Sequence, residues 1–411
     1  MFTIFVMVWW SCKGGGENLT SSEELLYDQN QFVFIPEMNA YHFSADSTEI
    51  MFSIPSKDVL FVRTNASAPF QSSIESKIII REGNTIVDTL TANWNIPMPS
   101  SEKARLSFSK KIALKTGMFA AEITIKDLNR NFGFKRSLKL NKSGDYNGQY
   151  FKLVNASTNE VLTSTSVEEN STFFIESGLV PKDSALYLRT LEVEVKLPPA
   201  PFSTSRPEIP ARADCSLRSI LSYGGKRKVT IDRGLYQLVK SPESSSGLTL
   251  FTAQGGYPDV RKIAALHQPL RYLTTKSEFE SISTAKNPKE KVDQFWIECG
   301  GTKDRARELI RSYYTRVEEA NQYFSSYTEG WRTDRGMIHL VFGDPSRIVK
   351  EMYGETWIYG EENSVSSLRF NFQKIENPWS DNVFVLNRDQ MFRLHWERMV
   401  TAWRNGRIFS N

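Results

Sequence analysis

The sequence predicts a multidomain protein: two all-β immunoglobulin-like sandwiches followed by an α+β C-terminal domain. Three observations carry this reading. Short apolar runs separated by turn residues fill residues 31–257, and long helical periodicity is missing there. From about residue 258 the apolar period changes to that of amphipathic helices. With 411 residues, the chain is too long for one hydrophobic core.

The first element is "MFTIFVMVWWSC", an uncharged apolar run of eleven residues followed by Cys12. It is too short for a spanning helix, which needs about 20 residues, and it suits the apolar region of a secretory signal. Ser11 before the cysteine and Gly14-Gly15-Gly16 after it resemble a bacterial lipoprotein signal. The resemblance implies that Cys12 is lipidated and that the chain is anchored to the outer membrane of a cell envelope. Two features depart from the pattern: no Lys or Arg precedes the run, and Trp9 replaces the usual leucine. Residues 13–30, polar and glycine-rich, read as a flexible tether. Cys215 and Cys299 then remain, without a CxxC or histidine companion, and buried free thiols are expected.

The first sandwich is placed at residues 31–143. "TEIMFSIP" (48–55), "LFVRT" (60–64), "ARLSFSKKIAL" (104–114) and "AAEITIKD" (120–127) suit strands, and 77–81 with 85–90 read as a hairpin around Glu82-Gly83-Asn84. The same texture returns at 144–257. An echo links the two: Leu114-x-x-Gly117-x-Phe119 in the first and Ile231-x-x-Gly234-x-Tyr236 in the second. A closed barrel is the alternative that this spacing leaves open. Residues 198–214 hold five prolines, which block both helix and ladder, so they read as an exposed extended loop.

The C-terminal domain is placed at 258–411. "NPKEKVDQFWIECGG" opens with Asn287 as a helix cap, Pro288 at the first turn and Glu290 at the capping-box position. Ala306, Ile310, Tyr313, Val317, Ala320 and Phe324 then form one stripe along a long helix. "GWRTDRG" (330–336) reads as a corner where this helix stops and a strand, "MIHLVFG", begins. Gly330 would supply the positive φ of a helix end, Trp331 would pack beneath the turn, and Thr333 and Asp334 would bond nearby amides. Arg335 would pair with a carboxylate, and Gly336 would free the entry to the strand. "GDPS" (343–346) reads as a turn. Strands at "ETWIYG", "SLRFNFQ" and "NVFVLN" and a last helix bearing Phe392, Trp396, Met399 and Trp403 complete the domain.

The segment 313–348 resembles the GWxTD domain, a family of exported proteins and lipoproteins chiefly of Bacteroidota. In that family a helix containing RVxxANxxF leads into GWxTDRGxIxxxFGxP. Arg316, Val317, Ala320, Asn321, Phe324, Gly330, Trp331, Thr333, Asp334, Arg335, Gly336, Gly343 and Pro345 fit the pattern. The resemblance implies a β-rich N-terminal region and an envelope location, and it implies no activity.

No motif adds chemistry. Basic residues exceed acidic ones by only 51 to 47 and are scattered, which speaks against nucleic acid. The basic cluster "KRK" (226–228) reads as a hairpin tip. His42, His267, His339 and His395 are isolated, so no metal site is read, and neither a phosphate loop, a nucleophile elbow nor a cofactor fingerprint is present. Chance pairing among 47 acidic residues accounts for Asp334 with Glu329 and Asp344 with Glu351. The function expected is therefore a non-enzymatic interaction or scaffold role beside other envelope proteins. Trp379 and Trp403, read as exposed, would mark a protein interface; a glycan-binding lipoprotein would use the same rings. A hydrolase in the C-terminal domain is the third reading.

Overall fold

A computed structural model describes residues 24–25 and 36–408, apart from 102–103, 145, 254–255, 261–265, 352 and 362–366. Cys12 and most of the expected tether lie outside these residues. The exception is β1 (Glu24–Leu25), which pairs antiparallel with Val349 and Ile348 of the C-terminal sheet. The tether is thus not free along its whole length, because that sheet's edge offers unpaired N–H and C=O groups.

Alternating apolar residues build the first β unit. β2 (Glu37–Ser44), β3 (Ser47–Pro55) and β6 (Arg105–Ala113) form one antiparallel sheet. β4 (Gln71–Glu82), β5 (Thr85–Pro97), β7 (Met118–Asp127) and β8 (Phe132–Asn141) form another, in the order β5-β4-β7-β8. Ile50, Phe52 and Ile112 of one sheet share a core with Ile78, Ile123 and Leu140 of the other, so the sheets face each other. The expected hairpin at 83–84 is present, with Gly83 at φ +59°. "LFVRT" makes no strand. Only Val62 bridges, to Gln71, because Leu60 and Val62 find no core to enter and stay exposed.

The second unit repeats the arrangement. β9 (Lys152–Asn155), β10 (Val161–Leu162), β12 (Thr172–Glu176) and β15 (Lys226–Thr230) make a sheet in the order β10-β9-β12-β15. β11 (Ser166–Glu168), β13 (Ala185–Glu192), β14 (Asp214–Ser222), β16 (Gly234–Val239) and β17 (Leu248–Ala253) make the other, in the order β11-β17-β16-β13-β14. The sequence echo has a common geometry. Gly117 and Gly234 sit at φ +153° and +155°, and each is covered by the ring two residues on, Phe119 or Tyr236. Leu114 and Ile231, three residues earlier, are both buried.

In the C-terminal part, α1 (Lys276–Ser283), α2 (Pro288–Gly300), α3 (Lys303–Phe324), α4 (Asp334–Phe342) and α5 (Phe392–Arg404) accompany an antiparallel sheet. Its order is β1-β18-β19-β20-β21, with β18 (Arg347–Glu351), β19 (Gly354–Tyr359), β20 (Leu368–Lys374) and β21 (Phe384–Leu386). Trp296, Tyr313, Val317, Leu340 and Trp403 from the helices share one core with Trp357, Phe370 and Phe372 from the sheet. Pro288 opens α2, but Asn287 makes no side-chain cap; the capping box belongs to α1, between Thr275 and Glu278.

Two expectations are corrected. "MIHLVFG" is helix α4, not a strand, and every one of its nine residues is buried. A short run that is apolar all round carries no period, and burial on every side suits a helix as well as a strand. The proline-rich segment is a strap docked on the C-terminal part. Arg332 and Arg388 donate to the carbonyls of Val195 and Pro199, Gln390 to Phe202, and Asn377 to Pro210. Backbone that cannot join a ladder offers its carbonyls to side chains instead.

The first β unit also touches the C-terminal part. Arg136 pairs with Asp381 at 3.2 Å, and the Tyr323 hydroxyl donates to Asp58 at 3.4 Å. Burial pushes the Asp58 carboxyl from an ordinary 3.8 up to about 6, with Lys57, Tyr323 and Arg105 pulling the other way.

Two predictions follow from this geometry. At Gly234 an added Cβ would meet the Tyr236 ring at a φ that side chains avoid, so Gly234→Ala should cost about 1–3 kcal/mol, read as a lowered urea midpoint. Folded Asp58 holds its proton up to about pH 6, whereas the unfolded residue releases it near 3.8. Its contribution to stability is therefore present below the lower value and lost as pH rises through the upper one. Asp58→Asn should raise stability at pH 7.5 by up to about 3 kcal/mol and leave it unchanged near pH 3.5. Parallel thermal melts of both proteins across that range test this.

Candidate functional site

The corner at 330–336 is built by backbone passing backbone. Gly330 has no positive φ, contrary to expectation; it is glycine because a Cβ would lie 1.7 Å from the Ala320 carbonyl oxygen. Gly336 has no room either, since its Cβ would lie 2.0 Å from the Gly330 oxygen. Residues Gly330–Arg332 form one 3-10 turn, and Thr333 then caps α4 by accepting from the Gly336 N–H at 3.1 Å. The motif threonine is thus an N-cap, a role worth about 1 kcal/mol in a typical helix.

Trp331 is buried against Tyr272, whose hydroxyl donates to the Trp331 carbonyl at 3.0 Å. Asn321 of α3 accepts from the Trp331 N–H and donates to the Pro258 carbonyl. The Asp334 carboxylate accepts from the Leu386 N–H at 2.8 Å and is bound by both terminal nitrogens of Arg388. Burial raises the Asp334 pKa, and the Arg388 guanidinium opposes the rise. Arg335 pairs with Glu355 at 3.2 Å and bonds both oxygens of Asn382, while its guanidinium lies 3.9 Å from the centre of the Phe384 ring. Gly343, at φ +81°, leaves space that the Arg316 guanidinium fills, and Pro345 is buried beside it in the chain.

Neither tryptophan expected at a surface is there. Trp403 is 1% exposed, packed against Trp296 and Tyr313, and its indole N–H donates to the Val341 carbonyl at 3.0 Å. Trp379 is 9% exposed and lies against Tyr327, in a small core shared with Leu191, Leu235 and Phe251 of the second β unit. It marks an interface within the chain. Neither ring offers a face for stacking a sugar. The cysteines also divide: both are free, Cys299 buried and Cys215 exposed, which the expectation of two buried thiols missed.

The fold does assemble one cluster that isolated residues did not suggest. His339 of α4, buried, has Nε2 3.0 Å from Glu319 Oε2 of α3 and Nδ1 3.4 Å from Asp344 Oδ1. One donor atom from each residue lies within 4.8 Å of the others. Sequence spacing hides it, because Glu319 lies 20 residues before the histidine. The carboxylate pairing of Asp334 with Glu329 is not formed; Glu329 meets Arg332 and Arg233 instead.

Removing Arg388 would strand the Asp334 carboxylate in the core. Arg388→Met should therefore cost about 3–5 kcal/mol, whereas the double change Arg388→Met with Asp334→Leu should recover part of the loss. Urea melts of the three proteins compare them.

Comparison with known proteins adds the following. Residues 234–405 match the GWxTD domain. The match starts at the first residue of β16, so it includes the β16–β17 hairpin whose Leu235 and Phe251 pack toward Trp379. No protein of curated function matches the chain. Among solved structures, the crystal structure of trypsin-activated alpha-2-macroglobulin from Escherichia coli shares 11% identity with a TM-score of 0.19. That similarity covers 56% of this chain and 17% of the other. From β16 to the end of α5, this chain is a GWxTD domain.

Proposed function

We propose that the protein is a non-enzymatic interaction or scaffold subunit of an outer-membrane assembly, anchored by a lipid on Cys12. The motif's charged groups support this reading, since Asp334 and Arg335 are engaged with Arg388 and Glu355 inside the domain. The two β units act as immunoglobulin-like sandwiches. Supporting that is the Tyr236 hydroxyl, which donates to Asp232 four residues upstream at 2.8 Å, a local device close to the tyrosine corner of such folds.

The observation that carries the reading is β14. It ends its sheet, and among the described residues it pairs with β13 alone. Leu217 and Ile220 are 55% and 58% exposed, beside the exposed Cys215. An uncovered strand of nine residues presents a row of free backbone donors and acceptors, and addition of a partner's strand satisfies them. The anchor sets where this edge is offered. Because β1 is fixed to the C-terminal sheet, eleven residues separate it from Cys12, at most about 40 Å of extended chain. The domain is therefore kept close to the membrane, and the β units do not hold it at a distance.

Gentle crosslinking and purification of the full chain from membranes should recover a partner in stoichiometric amount, and mass spectrometry should find Cys12 acylated. The double variant Leu217→Lys, Ile220→Lys should lose most of that partner while melting at the same temperature. Recovery of the chain alone, or equal recovery by the variant, would count decisively against a docking edge.

A further inference from the structure

We propose that one end of the first β unit is a tip that lies on an anionic lipid surface. The inference rests on the anchored reading above and adds the face that meets the bilayer. Three segments make the tip: residues 59–70 before β4, residues 97–98 where β5 ends, and residues 128–131 after β7. All three leave the same end of the β5-β4-β7-β8 sheet. Main-chain bonds hold them side by side. Val62 and Gln71 exchange bonds at 2.9 and 2.8 Å, the Met98 N–H donates to the Phe70 carbonyl at 2.9 Å, and the Leu128 N–H to that of Ser73 at 2.9 Å. Asn129 ties the group together by donating to the carbonyls of Leu60 and Gln71.

Among the described residues fourteen large apolar side chains are exposed, and five of them stand here: Leu60, Val62, Phe70, Met98 and Leu128, at 38–56% exposure. A single exposed leucine needs no explanation, but a group gathered from three segments forms a patch. The core does not require it. Phe61, between Leu60 and Val62, packs on the core, and its two neighbours stay in water. Charge narrows the occupant. The tip segments carry Arg63 and Arg130 and no acidic residue, and Arg63 lies over the Phe70 ring, 5.1 Å from its centre. A lipid surface takes both parts, since apolar side chains enter the acyl boundary while guanidinium groups meet phosphates. Its charge has one sign throughout, which suits a tip without acids.

The anchor approaches from the same side. β1 lies on Ile348 and Val349, and the next residue, Lys350, stands over the Phe134 ring at 4.0 Å. Phe134 is two residues inside the start of β8, and that start, Phe132, pairs with Asp127, the residue before Leu128. A path of a few strand widths, on the order of 20 Å, therefore joins β1 to the tip. The eleven residues between Cys12 and β1 reach about twice as far when extended. The second unit packs beside β2, through Asn39 and Thr163, and the C-terminal part beside β8 and Asp58. Neither covers the tip.

The test uses the full chain with Cys12→Ser, which cannot be acylated, floated with vesicles of phosphatidylethanolamine and phosphatidylglycerol or of phosphatidylcholine alone. The anionic vesicles should take up the protein, and the neutral ones at least about fivefold less. Adding Val62→Glu and Met98→Glu should lower uptake at least about tenfold. Both side chains are exposed, so the thermal melt should not change, and the shared N-terminus assigns the difference to the tip. Equal flotation with and without the glutamates, or no flotation at all, would overturn the proposal. So would a dimer in sedimentation that the same glutamates break, because the patch would then serve a second copy of the chain. These outcomes are separate from the anchored reading, whose acylation and partner recovery are measured on membranes. That reading can hold while the tip fails, and flotation lost only with the glutamates keeps the tip even where Cys12 carries no lipid.

Discussion

The C-terminal domain depends on a place where two stretches of main chain come into contact without a side chain between them. Gly330 lies on the Ala320 carbonyl, and Gly336 lies on Gly330. Because no Cβ intervenes, the chain can leave the end of α3, turn once, and start α4 within a few residues. That leaves α4 wholly enclosed between α3, the sheet and α5. Three side chains then project from one short helix in three directions. Asp334 reaches Arg388 and the Leu386 N–H, Arg335 reaches Glu355 and Asn382, and His339 reaches Glu319 and Asp344.

Much of this was legible in the chain, wherever a period or a backbone demand left its mark. The stripe of α3 is visible because one of its faces is polar, and the paired Gly117 and Gly234 are visible because only glycine takes their φ. Reading failed where burial is complete or comes from far away. The run 337–343 has no polar face, so its period says nothing. Trp403 and Trp379 look like surface aromatics beside Arg404 and Asn377, but distant elements cover them: α2 and α3 for one, the second β unit for the other. The cluster at His339 needs three pieces of chain, and no local spacing announces it.

The buried charges show a consistent logic. A pair such as Asp334 with Arg388 gives little net stability, because both ions lose their water. Its effect is on arrangement: the carboxylate accepts one strand's N–H, and the arginine that neutralises it reaches the strap. Arg335 likewise joins α4, β19 and the loop before β21 through one guanidinium. An apolar core of the same volume would pack, but it would not dictate which loop lies where.

The strap has a consequence for the order in which the molecule can be completed. It leaves β13, crosses to the C-terminal domain, and returns as β14, yet its clasp, Arg388, comes 189 residues after Pro199. A ribosome finishes the second β unit long before it makes that arginine. Until then the loop lacks that partner, while β14 already has β13 to pair with. The last stretch to be synthesised therefore fastens a loop made much earlier, and a truncated product would carry that loop undocked.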